Sequence, residues 1–187
     1  MTTPQPTHFD QAGNPRMVDV SSKPVTVREA TASGEVTLSA EAVAQVREGR
    51  ANKGDVLAVA RIAAIQGAKV TQTLIPMCHS LPLEAVTVDF RWRKTGDGVP
   101  RLRCTATVRC TGKTGVEMEA MTAVSVGCLT VYDMLKSVDR EIVIGPIVLE
   151  SKSGGKSGNY LREGTDGTDP RGSGPDAVSA GSGRAPG

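Results

Sequence analysis

AVTVDFRWRKTGDGVPRLRCTATVRC, residues 85–110, is the stretch whose reading decides the fold. Its flanks, AVTVDFRWR (85–93) and RLRCTATVRC (101–110), alternate apolar and polar side chains, the period-two pattern of strands with one buried face. KTGDGVP between them is turn-forming, so the two strands close a β-hairpin and run antiparallel.

Upstream, VTVREATASGEVTL (25–38) is β-branched and partly alternating, with Ser33-Gly34 interrupting it; it predicts one irregular strand or two short ones. LSAEAVAQVREG (38–49) predicts a short helix: Ser39 is its N-cap, Leu38 and Val43 form a staple, and Gly49 stops it. GDVLAVARIAAIQGAK (54–69), capped by Asp55, is apolar almost all the way round and predicts a largely buried helix. In LIPMCHSLPL (74–83), Pro76 and Pro82 exclude a regular helix or a central strand, leaving a stiff loop.

Downstream of the hairpin, a long helix rich in Ala, Met, Val and Leu is predicted from about Glu119 to Val138. It is followed by a strand, EIVIGPIVLES (141–151), and a flexible basic loop, KSGGKSG (152–158). The order β, α, β, β, α, β, with two helices in the first crossover, is the split-βαβ, ferredoxin-like pattern. It places the chain in the α+β class, with helices packed on one face of an antiparallel sheet. Two nearly all-apolar helices in so small a domain need more cover than one sheet face supplies, so an oligomer is expected.

Composition divides the chain into a disordered tail at 1–16, one domain at 17–163 and a second disordered tail at 164–187. The last, GTDGTDPRGSGPDAVSAGSGRAPG, has too little apolar surface to offset its ordering entropy. With 22 Lys and Arg against 20 Asp and Glu, the net charge of +2 gives no general attraction to nucleic acid or acidic membranes. Aromatic residues, at 3%, are too few for a base-stacking platform, and no apolar run reaches the length of a membrane span. The polar start, MTTPQPTHFDQAGNPR, lacks an apolar signal core, so a cytoplasmic location is expected. Cys78, Cys104, Cys110 and Cys128 contain no CxxC pair, so no structural zinc is expected. Cys104 and Cys110, on one strand and roughly 20 Å apart, cannot bridge each other, which leaves reduced thiols.

The tetrapeptide TGKT (111–114) has the ending of a phosphate-binding P-loop. The glycine that motif needs four residues earlier is replaced by Thr107, and a hairpin strand precedes it where a parallel unit is required. It reads as a tight turn with a solvated lysine. His79, in the proline-held loop, is either a satisfied structural histidine or a group that donates to phosphate or moves a proton. Asp133 and Lys136 lie at i, i+3 on the long helix among Leu129, Val131, Met134 and Leu135. Desolvation there would shift both pKa values. Lys53 precedes the second helix at an anion corner, and Lys152 and Lys156 flank glycines that permit close backbone approach to phosphate. Glu119 and Asp133 share a helix face within about 40° but lie roughly 21 Å apart along it, so a pocket using both is shared between subunits.

MVDVS (17–21), KGDVLAVARIAAIQGAK (53–69), LIPMCHSLPL (74–83), TGKTGVEMEAMTAVSVGCLTVYDMLK (111–136) and KSGGKSG (152–158) together resemble the cyclic pyranopterin monophosphate synthase family of molybdenum-cofactor biosynthesis. The resemblance covers about Met17 to Tyr160. It implies a phosphorus–oxygen lyase that converts a small-molecule, GTP-derived 3′,8-cyclised dihydroguanosine triphosphate to a tricyclic pyranopterin bearing a cyclic phosphate. Diphosphate is released, no redox cofactor takes part, and no metal ligand is assigned among the residues of this chain. It also implies a homohexamer, a trimer of dimers with the pocket at the dimer interface. Carried over residue by residue, the substrate-binding loop matches Met77, Cys78 and His79. The acidic stretch matches Glu117, Met118 and Glu119, and the catalytic aspartate matches Asp133. The basic site residues match Lys53 and Lys136, with Arg28 and Lys152 as phosphate contacts. On physical grounds the roles expected of these residues are a coupled acid–base pair for Asp133 and Lys136 and a proton-transfer group or phosphate clamp for Lys53. His79 binds phosphate or shuttles a proton, and Glu119 recognises the guanidine-like edge of the base. Two other classes compete: a noncatalytic nucleotide-sensing module, which binds without turnover, and an oligomerisation domain whose charges are only rim charges.

Overall fold

The computed structural model describes residues 9–163 apart from 11, 52, 94, 95 and 157. The tail expected at 164–187, and residues 1–8 of the one expected at 1–16, lie outside the described residues. Phe9 bridges Pro15, and Asp10 Oδ1 accepts the backbone N–H groups of Ala12 and Asn14.

The hairpin consists of β2 (Leu83–Arg93) and β3 (Arg101–Gly112), in register from Phe90 opposite Cys104 to Arg93 opposite Arg101. The 25–38 stretch is one strand, β1 (Thr26–Thr37), paired without a break to β3 from Thr26 opposite Gly112 to Thr37 opposite Arg101. Its irregularity falls in the pairing with β4 (Val143–Ser153), where the register shifts between Thr31 and Ala32 and again between Gly34 and Val36. Gly34 has a packing reason to be glycine. A Cβ there would stand 2.6 Å from Val124 Cγ1 and 3.4 Å from Cys128 Sγ, both on the helix above. A short β5 (Tyr160–Leu161) completes a five-stranded sheet of order β2-β3-β1-β4-β5, antiparallel at every pairing.

The helices are α1 (Ala40–Arg47), α2 (Val56–Lys69), α3 (Thr71–Leu74) and α4 (Glu117–Leu135). The local caps form as the sequence predicts: Ser39 Oγ accepts from Ala42 N and Asp55 Oδ1 from Ala58 N. The short α3 lies just ahead of the expected loop and takes only its first residue, Leu74; Thr71 is buried and its hydroxyl bonds back to Gly67 O, extending the helical path beyond Lys69. The long helix begins two residues earlier than predicted and ends before Val138, and β4 runs on through Lys152 and Ser153 into the expected basic loop.

α4 packs on β1, β3 and β4, and α2 packs on β2 and along α4. The core between them holds Val36, Phe90, Leu102, Cys104, Val108, Cys110, Val124, Cys128, Val131 and Leu135, all fully buried. Small residues set the helix–helix distance: a Cβ on Gly67 would lie 2.9 Å from Val126 Cγ2, and one on Gly127 would lie 3.2 Å from Ala64 Cβ. These neighbours make α2 and α4 antiparallel, so the start of α2 meets the end of α4.

Alternation puts Ser33 on the helix-free face of the sheet. Its hydroxyl contacts buried Glu150 Oε1, which Arg103 Nη2 also reaches at 2.6 Å. All four cysteines are free thiols, with only Cys78 partly exposed.

Candidate active site

The predicted residues gather at the two ends of α4. At its N-terminal end, Val116 supplies no side-chain cap, and Glu117 and Glu119 occupy the first turn, where the helix dipole favours negative charge. Glu117 Oε1 meets Lys152 Nζ at 3.2 Å. Glu119 is only 4% exposed. Burial raises its pKa, its own backbone N–H opposes this, and the charge of Glu117 adds to the rise. Burial also pushes up the thiols of Cys78 and Cys110, with the charge of Glu119 adding to both. Met118 is exposed and Met77 half-buried.

Arg28 is buried here, its Nε donating to Gly112 O at 3.4 Å. The glycines of KSGG do not stand open to a phosphate. Gly154 and Gly155 have φ of 90° and 79°, and a Cβ on Gly155 would fall 1.6 Å from Arg28 Nη1, so this backbone is wrapped around the guanidinium. His79 Nε2 lies 2.7 Å from Val18 O. A carbonyl carries no proton, so Nε2 is the protonated nitrogen and only Nδ1 is left to face a ligand. Lys113 of the P-loop-like turn is not a free solvated lysine: its Nζ donates to Ser21 O at 2.6 Å.

At the other end, Asp133 is clamped. Its Oδ1 meets Lys136 Nζ at 2.7 Å and its Oδ2 meets Lys53 Nζ at 2.8 Å; Lys53 also donates to the Asp133 carbonyl at 2.9 Å. Hydrogen bonds from Lys136 and Lys53 lower the Asp133 carboxyl to a pKa of about 2, and the same bond raises that of Lys136. The cause differs from the sequence expectation: the Asp133 side chain is 54% exposed, so partners rather than desolvation shift the pair. Lys53 and Asp133, 80 residues apart, are brought together by the antiparallel run of α2 and α4. Exposed Val59 and Ile62 on α2 and Leu129 on α4 lie on the solvent sides of the same two helices.

Lys53, Asp133 and Lys136 thus form one bonded cluster, and the expected residues Arg28, Cys78, His79, Glu117, Glu119 and Lys152 lie toward the other end of the 19-residue helix. Lys156 is exposed. A surface depression of about 350 Å³ between α2 and β2, lined by Ile65, Lys69, Leu81, Leu83, Glu84 and Val86, contains none of the predicted site residues. Among the described residues no group of three or more His, Cys, Asp or Glu is placed to hold a metal ion, and no helix is long and apolar enough to cross a membrane.

Comparison with known proteins adds to this geometry. The model of the MoaC family matches residues 17–155. A protein of Rhodopirellula baltica, named cyclic pyranopterin monophosphate synthase, is 56% identical over 166 residues, covering 86% of this chain and 95% of its own. Proteins of the same name from Brevibacillus brevis (52% over 160 residues, 86% and 98% covered) and Cereibacter sphaeroides (56% over 155 residues, 82% and 95% covered) are similar to it as well.

Proposed function

The chain belongs to the MoaC family, and from that membership we propose that it catalyses the reaction for which its curated relatives are named. It is a phosphorus–oxygen lyase of molybdenum-cofactor biosynthesis. Its substrate is (8S)-3′,8-cyclo-7,8-dihydroguanosine 5′-triphosphate, its product cyclic pyranopterin monophosphate, and diphosphate leaves.

The observation that carries the mechanism is the Lys53–Asp133–Lys136 cluster. In the free chain Asp133 is held as a carboxylate between the two lysines, so it is a weak base near neutral pH. A triphosphate competes with Asp133 for the two ammonium groups. As they turn to phosphate, the carboxylate loses the partners that depress its pKa and becomes a better base. Ring opening and reclosure need such proton transfers, and the lysines stabilise charge on the leaving diphosphate. At the other end, buried Glu119 takes the donor edge of the base. Arg28 and Lys152 offer cationic contacts to phosphate, Met77, Cys78 and Met118 supply the walls, and Glu117 holds Lys152 in place. His79 meets the ligand through Nδ1.

Since Glu119 and Asp133 lie roughly 21 Å apart along α4, each pocket combines one end of the helix from one subunit with the other end from its neighbour. The strand order and pairing fit a ferredoxin-like domain, and the apolar side chains exposed on α2 and α4 favour association with further copies; the homohexamer, a trimer of dimers, is what the family resemblance implies. The enzyme works in the cytoplasm on a small molecule, without nucleic acid or membrane.

The test is incubation of the purified chain with the cyclised triphosphate, following diphosphate release and pterin fluorescence. Wild-type chain yields both, and Asp133→Asn lowers turnover by about 10²–10⁴-fold, the range of a lost acid–base group. Binding without turnover by the wild type would leave a sensing module; an Asp133→Asn enzyme as fast as wild type would remove Asp133 from the chemistry.

A further inference from the structure

The segment from Met17 to Lys23 lies in no strand, yet its backbone is held at two points. Val18 O accepts from His79 Nε2 at 2.7 Å, and Ser21 O accepts from Lys113 Nζ at 2.6 Å. The segment is also turned on itself: Asp19 Oδ1 takes the Ser21 N–H at 2.8 Å, and the Lys23 N–H reaches Val20 O at 3.0 Å. Val18 and Val20 are half-buried, whereas Met17, Asp19 and Ser21 are exposed, so the chain lies along a surface with one side inward. Its two donors come from different elements, the loop after α3 and the turn between β3 and α4. Each adjoins the N-terminal site of α4. His79 follows Cys78, and Lys113 follows Gly112, whose carbonyl receives Arg28.

We propose that Lys113 is a positioning residue for the reaction assigned above. With His79 it latches residues 17–23 as a strap against the cluster of Arg28, Cys78 and Glu119, fixing one wall of the substrate pocket. The inference rests on that assignment. Ordering a segment outside the sheet costs backbone entropy that no ladder offsets, so it depends on a few strong local bonds. The ammonium-to-carbonyl bond of Lys113 is charge-assisted and is the stronger kind of latch. It also gives the Gly-Lys-Thr turn a task after its exclusion as a P-loop: its lysine reaches the enzyme's own backbone, not a nucleotide.

Lys113→Met keeps the apolar stem and removes the donor. The expected outcome is a KM raised about tenfold, the size of one charge-assisted hydrogen bond, with kcat within about twofold of wild type. Amide hydrogen exchange of residues 18–23 speeds up in the same variant, and Lys113→Arg restores both readouts. An unchanged KM, unchanged exchange in 18–23, a loss confined to kcat, or an arginine that fails to rescue would each overturn the latch. The exchange arm uses the ligand-free enzyme, so it reads the latch even if the assigned turnover itself fails.

Discussion

At the residue scale, Glu119 and Asp133 are two carboxyl groups on one helix pushed in opposite directions. Asp133, exposed between two ammonium groups, stays ionised down to a pH of about 2, whereas Glu119 is buried and holds its proton more tightly than a free carboxyl. The sign for stability follows from linkage. A raised folded-state pKa gives stability that is fully present below the unfolded value, near 4.5, and is lost as pH rises through the elevated one. Glu119→Gln removes the cost of ionising a buried group, so it raises the melting temperature relative to wild type at pH 7.5 and changes it little at pH 4.5. Melting curves at the two pH values check this; a difference that is flat with pH, or larger in acid, would show that Glu119 does not carry the burden. The residue types at both ends of α4 were legible in the sequence. The partners of Asp133 were legible only in part: Lys136 is three residues away on the same helix, but Lys53 is 80 residues away and arrives through packing.

Elements were legible where their signals are local. Ser39 and Asp55 cap the helices they precede because a cap needs only the next turn of chain. The hairpin registered as alternation and turn composition predict. What the sequence could not place were features set by a neighbour far along the chain. These are α3, which forms on buried Thr71, the Ser33–Glu150–Arg103 contact on the helix-free face, and the wrapping of Gly155 around Arg28. Gly34 shows the difference well. In the sequence it marks an interruption between two possible strands; in the fold it is the point where α4 presses on an unbroken β1. A Cβ there meets Val124 at 2.6 Å, in a core with no free volume to give. Gly34→Ala therefore costs about 1–3 kcal/mol, the usual range for overpacking, read as a lower urea midpoint at unchanged slope. An unchanged midpoint would mean that α4 shifts off β1 freely.

At the scale of the whole molecule, the distribution of charge along α4 is the central fact. The N-terminal cluster and the Lys53–Asp133–Lys136 cluster belong to one chain, but roughly 21 Å of helix separates Glu119 from Asp133, more than one small substrate spans. The proposed two-fold interface, setting the start of one α4 near the end of another, would make two equivalent pockets, each with one cluster from each subunit. This arrangement has a consequence that no single-chain pocket shares. Take Asp133→Asn and Glu119→Gln, each inactive alone because every pocket is broken at one end. Unfold them together in equal amounts and refold. Random pairing makes half of the dimers mixed, and in each mixed dimer one pocket carries both lesions while the other carries neither. Activity therefore returns to about a quarter of the wild-type value per subunit. A refolded mixture no more active than its components would place both clusters' work within single chains and overturn the shared pocket.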